Sequence, residues 1–450
     1  MARGSRAGFV RPELLLVLTF AGLIFSGAML LKLPQAEKSP VRFIDALFTS
    51  TSAVCVTGLT TVDTEQTWTR SGHAVIMVLI QLGGLGVMTF TALAATILNR
   101  PVSFNASLAL HDAFFDSDAR AELGKSLRKI VGITLAIELI GAVVIYVGLT
   151  THENPRGDWF DALFLAVSAF CNAGFSPYSE NLVGVRGSLP VVWAIMLLIT
   201  LGGIGYTVLI EATSRLRRFL FRMRQQTVLW SLHTRVVVAF SAVLVFGGAA
   251  GVYFAGLGPE KLNLGPRVLH ALFQSVTART AGFNTIDIAA MPVSSLMVII
   301  LLMFIGGSPG STAGGIKTTA AAVWGKSVNA RLQGASEVNM FRRRVPDDLV
   351  RRAELVVAMA LIWNAVGVFM LAITEAGRGT PFERLVFEQI SAFCTVGLSA
   401  NVTMTLSDAG KLWIIMSMFV GRLGTLTIMF FVVRPNRVRY QLPQERLMIG

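Results

Sequence analysis

The sequence has 450 residues, 53% of them hydrophobic and only 14% charged, with a mean hydropathy of +0.64. A soluble chain usually carries about 25% charged residues, so a soluble globular protein is excluded. The net charge of +13 is distributed as membrane topology distributes it, and nucleic acid is not an expected partner.

Arg3, Arg6 and Arg11 precede an apolar run over 14–31. The run is longer than the ~7–15 residues of a signal-peptide core and approaches the roughly 20 residues that cross hydrocarbon. No small-residue cleavage site follows, so it reads as a retained first span. Eight segments are long enough to cross, roughly 12–33, 72–98, 130–150, 190–210, 236–255, 292–322 (interrupted), 355–373 and 412–433. Within each successive pair lies a shorter apolar stretch, at 43–54, 159–170, 268–276 and 385–393. These are too short to span and read as re-entrant segments or interfacial helices.

Each short stretch ends in a similar phrase: Cys55-Val56-Thr57-Gly58-Leu59, Cys171-Asn172-Ala173-Gly174-Phe175, Arg279-Thr280-Ala281-Gly282-Phe283 and Cys394-Thr395-Val396-Gly397-Leu398. The glycines stand 116, 108 and 115 residues apart. Upstream, Asp45-Ala46-Leu47-Phe48 and Asp161-Ala162-Leu163-Phe164 keep one distance from their glycines, and His270-Ala271-Leu272-Phe273 sits one residue closer. A second phrase follows 24 to 28 residues after each glycine: Gly83-Gly84-Leu85-Gly86, Gly202-Gly203-Ile204-Gly205, Gly306-Gly307-Ser308-Pro309 and Gly421-Arg422-Leu423-Gly424. Two phrases in register four times define the architecture. The expected fold is an all-α polytopic membrane protein of four span–pore loop–span repeats, with eight transmembrane helices and four pore helices around one central pore. The repeats cover 1–100, 101–225, 226–345 and 346–450.

If the four loops share one face, the opposite face collects both termini, the connectors and 25 Lys and Arg, against 12 on the loop face. The positive-inside rule then puts the termini in the cytoplasm and the loops outside. Connectors such as 215–224 and 342–352 are either contact zones for a cytosolic partner or anionic lipid, or ordinary positive-inside charge.

Four such loops around one axis offer rings of backbone carbonyls that replace the hydration shell of an alkali cation. Glycine adopts φ > 0 freely, so successive carbonyls can turn inward. The three cysteines, Cys55, Cys171 and Cys394, each stand three residues before a filter glycine. They pair into no disulfide framework or metal motif and read as small packing residues. Arg279 takes their place in the third repeat, either to pair with an acidic side chain or to repel ions near the mouth.

The third repeat interrupts its second span with Gly306-Gly307-Ser308-Pro309-Gly310-Ser311-Thr312-Ala313-Gly314-Gly315-Ile316-Lys317, which cannot sustain a helix. A phosphate-binding loop fails here, because the Lys is one residue late and no strand precedes it. A gate or constriction below the filter is the expectation, with a simple kink as the bland alternative. Arg422 stands where the other repeats have Gly84, Gly203 and Gly307. A charge within a span faces a cavity or a partner, so Arg422 is expected to hydrogen-bond carbonyls of the third-repeat loop. Lys317, nearer an end, is placed to snorkel to the surface.

These motifs resemble the Trk/Ktr/HKT superfamily of cation transporters and, within it, the membrane subunits of bacterial Ktr potassium-uptake systems. The resemblance covers nearly the whole chain. It implies potassium uptake, often sodium-stimulated, by a homodimer with one pore per subunit. The dimer would dock on a cytosolic ring of nucleotide-binding regulatory subunits such as KtrA, so nucleotide enters only through that partner. It implies K⁺ ligands on the carbonyls of Val56, Thr57 and Gly58; Asn172, Ala173 and Gly174; Thr280, Ala281 and Gly282; and Thr395, Val396 and Gly397. The family's gate loop and its partner Arg map onto 306–317 and Arg422. In plant relatives a Ser at the first filter glycine accompanies sodium selectivity, and this chain keeps Gly58.

The competing reading is an alternating-access transporter of another cation or small solute, which would favour inverted repeats and polar groups near the midplane. An enzyme is not expected: the five histidines form no ligand motif, and no nucleophile–base pair is evident.

Overall fold

The computed structural model describes residues 12–98, 117–151, 157–220, 230–258 and 263–424, and they are mainly helical. Three helices run in the same order four times. The first helices are Pro12–Leu31, Ser117–Thr150, Leu232–Ala255 and Asp347–Thr374. The pore helices are Phe43–Val54, Trp159–Cys171, Leu264–Thr277 and Phe382–Phe393. The second helices are Arg70–Leu98, Leu189–Ile204, Val293–Phe304 and Asp408–Leu423. Among the described residues, Arg128–Thr150, Leu232–Ala255 and Asp347–Thr374 are each long and apolar enough to cross a membrane. Exposed Leu139, Ile140, Val243, Phe246, Leu361 and Ile362 lie on these helices, as expected of surfaces solvated by lipid rather than water.

All eight apolar segments fall on helices, but two differ from their expected lengths. The segment 190–210 is not one straight span. Gly205, at φ 96° and ψ 146°, ends the helix, and Tyr206–Leu220 departs from Leu189–Ile204 at 107°. The backbone N–H of Tyr206, lost to the helix, donates instead to the Gly310 carbonyl at 3.0 Å. The last helix stops at Leu423 because Gly424 takes φ 87°; residues from 425 on lie outside the described ones. The interruption in the third repeat falls where expected, between Val293–Phe304 and Thr318–Leu332. A two-stranded hairpin follows, with Asn339 opposite Arg344 and Met340 opposite Arg343.

The structure supplies a reason for the second phrase. Its first glycine lets the second helix lie against the carbonyl end of the pore helix. A Cβ on Gly83 would sit 2.0 Å from the Val54 oxygen, on Gly202 1.8 Å from Phe170, and on Gly421 1.7 Å from Phe393. In the third repeat Gly306 makes the same approach to Gly314 of its own loop, at 2.1 Å.

Three seams between repeats are bridged by the chain itself; the fourth, between the last repeat and the first, is closed by contacts alone. Lys411 Nζ donates to Asp45 Oδ1 at 2.6 Å across it, the one ion pair among the described residues with both partners buried. Arg42 reinforces the seam, reaching Asp45 at 3.1 Å and Asp408 at 3.0 Å. Removing one partner of a buried pair strands the other charge at a cost of about 3–5 kcal/mol. Lys411→Met is therefore expected to lower the thermal midpoint of the detergent-solubilised protein clearly, and Asp45→Asn in the same chain to restore part of it. An unchanged midpoint in the single variant contradicts the role of the pair.

Candidate ion filter and gate

Each pore helix delivers its carbonyl end, the negative pole of its dipole, to one glycine phrase. The backbone there repeats one conformation. Val56, Asn172, Thr280 and Thr395 have φ of 56°, 61°, 77° and 49°, and the glycines two residues later have φ of 95°, 69°, 76° and 91°. The residues between them, Thr57, Ala173, Ala281 and Val396, are not among the positive-φ positions. A positive φ at every second residue is the kind of backbone that can turn successive carbonyls to one side, as a carbonyl-lined filter would need. Three of the left-handed residues, Val56, Thr280 and Thr395, are β-branched, for which positive φ is a true outlier. Such strain persists only where the surroundings over-determine it.

The surroundings do so here. Thr57, Ala173 and Val396 each donate their N–H to the carbonyl five residues back, at 2.7, 2.7 and 2.8 Å. Ala281 bonds four residues back, to Thr277 at 2.9 Å, which absorbs the residue missing from the third repeat. Hydroxyls of Ser168, Thr277 and Ser391 hold the carbonyls of Phe175, Phe283 and Leu398 at 2.8, 2.7 and 2.6 Å. In the first repeat Ser52 Oγ accepts from Gly58 N at 3.0 Å.

The four phrases meet in cyclic order. A Cβ on Gly58 would lie 2.3 Å from the Ala173 oxygen, on Gly174 2.7 Å from Ala281, on Gly282 2.5 Å from Val396, and on Gly397 2.0 Å from Thr57. Each glycine thus faces the middle carbonyl of the next repeat, and the fourth faces the first. On one side of this ring a cavity of about 400 Å³ is lined by Gly58, Gly282 and Gly397 and by polar residues of the following loops, Glu180 and Asp287 among them. Glu388 anchors one of its walls: buried in the fourth pore helix, it accepts from Ser399 at 2.9 Å and from Thr403.

The loop 306–317 packs against the other end of the filter phrases. A Cβ on Gly306 would lie 3.2 Å from Thr280 Cγ2, and on Gly314 2.0 Å from Thr395 Oγ1. The Asn172 carboxamide lies 2.9 Å from Thr312 Oγ1. Gly306, Gly307, Ser308, Gly310, Ser311, Thr312, Ala313, Gly314 and Ile316 are buried; Pro309, Gly315 and Lys317 are half-buried. The loop closes on itself through Gly306 N to Ile316 O at 2.9 Å and Thr318 N to Gly307 O at 3.0 Å. It is tied to the second repeat through Ser308 N to Gly203 O at 2.9 Å and Thr312 Oγ1 to Gly202 O at 3.3 Å.

Arg422 is buried; its Nη1 donates to the Thr312 carbonyl and its Nη2 to the Gly83 carbonyl at 2.8 Å. The guanidinium therefore joins the loop to the first repeat as well. Lys317 does not snorkel: its Nζ turns back onto the Ala313 carbonyl at 2.6 Å. Arg279 makes no ion pair among the described residues. Its Nη2 donates to Ser241 on the first helix of its own repeat at 3.1 Å, no carboxylate lies within ion-pair distance among the described residues, and it does not line the cavity. The cysteines are buried and unpaired. Cys171 Sγ lies 3.5 Å from Gln81 Oε1, and Gln81 donates to buried Glu138 at 3.0 Å. The sequence reading missed this polar cluster for want of a local motif.

Residues 15–440 match the TrkH family, described as a cation transport protein. The chain belongs to that family. It is a multi-pass membrane protein, and its family transports cations rather than catalysing a reaction. It is 37% identical over 447 residues to the Ktr system potassium uptake protein B of Bacillus subtilis, covering 98% of this chain and 97% of that one. It is 35% identical over 449 residues to the potassium/sodium uptake protein NtpJ of Enterococcus hirae, covering 98% and 97%. The solved structure of the potassium transporter TrkH from Vibrio parahaemolyticus shares the fold, with a TM-score of 0.74 at 18% identity, over 96% of this chain and 86% of that one.

Proposed function

We propose that this TrkH-family chain conducts K⁺ into the cell as the membrane subunit of a Ktr-type uptake system. The observation that carries the reading is the cyclic meeting of four left-handed glycine phrases, each glycine against the next repeat's carbonyl. The carbonyls of the twelve filter residues are the K⁺ ligands. The loop 306–317, held by Arg422, is the gate. The relatives named as Ktr-system and potassium/sodium uptake proteins support K⁺ as the ion and Na⁺ as its stimulant. They support a partner subunit too. On this reading the chain is a homodimer on a cytosolic nucleotide-binding ring, with its termini cytoplasmic and its basic connectors facing that ring and anionic lipid.

Proteoliposome flux tests it. The wild-type chain, with and without its cytosolic partner, is expected to carry K⁺ in preference to Na⁺. Absence of flux of either ion with the partner supplied sinks the conduction reading and promotes alternating access.

A further inference from the structure

The loop 306–317 is held from both repeats that flank its own. Among the described residues, two of its carbonyls accept a hydrogen bond from another repeat. Thr312 accepts from Arg422 of the fourth, and Gly310 accepts from the backbone N–H of Tyr206 of the second, at 3.0 Å. The second contact exists because the helix breaks there. In an unbroken helix the Tyr206 N–H would return to the carbonyl four residues back. Gly205, at φ 96°, ends Leu189–Ile204 and makes Tyr206 the first residue of a new helix, where the N–H has no helical partner. In the first repeat Gly86 holds the equivalent place, and the helix Arg70–Leu98 runs through it.

The contact is close as well as polar. A Cβ on Gly205 would lie 2.5 Å from the Pro309 oxygen, so the break and the loop fit each other with no spare room. Beyond the break, Tyr206–Leu220 leaves at 107° and meets the third repeat a second time. Glu211 accepts from Ser231 N at 3.1 Å, from Ser231 Oγ at 3.0 Å and from Thr234, at the start of the helix Leu232–Ala255. One helix therefore bonds the loop at its first residue and the first helix of the third repeat a little over one turn later. A helix moves as a body about residues at its end, so a displacement at Glu211 carries the Tyr206 N–H with it.

We infer that the break at Gly205 is a working part of the gate: the Tyr206 N–H is a second restraint on the loop, beside Arg422, and the helix Tyr206–Leu220 is the arm that sets or releases it. The inference rests on the reading of 306–317 as the gate and adds to it a holding point from the other flanking repeat.

The test is resting K⁺ and Na⁺ flux in proteoliposomes without the cytosolic partner. Tyr206→Pro removes the proton and puts a ring carbon in its place, at a helix position that accepts Pro. Tyr206→Ala removes the aromatic ring and keeps the N–H. Resting K⁺ flux of Tyr206→Pro is expected to exceed that of Tyr206→Ala about threefold or more, the scale of one neutral hydrogen bond, with the K⁺/Na⁺ ratio as in the wild type. A damaged fold would lower flux, whereas a released gate raises it. Gly205→Ala, whose methyl would press on the Pro309 oxygen, is expected to raise resting flux as well, and it decides the matter if Tyr206→Pro is not monodisperse. Arg422→Ala is run alongside. If it raises flux while Tyr206→Pro matches Tyr206→Ala, or while a lone Gly205→Ala stays at the wild-type level, the inference is overturned and the gate stands. A raised flux with a lower K⁺/Na⁺ ratio traces to the filter and overturns it too. If Arg422→Ala raises nothing, the gate reading falls and this inference with it.

Discussion

Arg422→Ala is expected to raise K⁺ flux through the resting protein, measured in proteoliposomes without the cytosolic partner, by about tenfold or more. The guanidinium is buried and bonds one carbonyl of the loop 306–317 and one of the first repeat's second helix, Thr312 and Gly83. Hydrogen bonds from a charged donor contribute about 1.5–3 kcal/mol each, and about 1.4 kcal/mol is a factor of ten in a closed–open equilibrium. Losing one of the two is therefore enough for the stated effect. Removing the charge acts in the same direction, since a buried cation close to the conduction path repels the permeant ion. Two further variants separate the effects. Arg422→Gln keeps a donor without the charge, and Arg422→Lys keeps the charge without the two-pronged fork. If tethering dominates, Gln stays near the wild type; if repulsion dominates, Gln follows Ala. A monodisperse Ala variant with flux no higher than wild type removes Arg422 from the gate.

Much of this arrangement was legible because the chain repeats itself. A glycine phrase seen once is a helix cap; seen four times in register it places four helix ends around one axis, and the ring contacts of Gly58, Gly174, Gly282 and Gly397 are that arrangement. Arg422 was legible as a departure from a row of glycines, and Thr312 lay in the loop it was expected to reach. Its second partner, the Gly83 carbonyl, had no signal, since a backbone oxygen is the same at every position. The left-handed residues two before each glycine were hidden for a different reason. Val56, Thr280 and Thr395 are β-branched and locally favour extended backbone, so tertiary contacts alone impose their positive φ. The break at Gly205 shows the same limit. Gly86 ends the equivalent phrase in the first repeat, yet the helix Arg70–Leu98 runs through it. What differs is the Gly310 carbonyl waiting for Tyr206 N, supplied by a loop about a hundred residues further along the chain.

Substituting the filter glycines is expected to degrade the preference for K⁺ over Na⁺ in a definite order. A Cβ would come to 2.0 Å of a carbonyl oxygen at Gly397, 2.3 Å at Gly58, 2.5 Å at Gly282 and 2.7 Å at Gly174. Each is far inside van der Waals contact, and each glycine has a positive φ that a side chain strains. The neighbouring carbonyl must swing away, and on the proposed function that carbonyl is one of the K⁺ ligands. The seam between the last repeat and the first has the least room, and no chain connection crosses it. Alanine is therefore expected to harm position 397 most and position 174 least. Gly58→Ser combines the clash with a hydroxyl that can replace the displaced oxygen as a ligand. Its K⁺/Na⁺ flux ratio is expected to fall about tenfold or more, with Na⁺ flux retained, because one lost or misplaced oxygen at this depth outweighs the roughly 1.4 kcal/mol that a tenfold preference requires. Gly22→Ala and Gly132→Ala, whose added methyl meets nothing within 4 Å, are the controls and leave the ratio unchanged. Equal K⁺/Na⁺ ratios across all four filter positions and the controls mean that the carbonyl ring does not select the ion, whatever else it holds together.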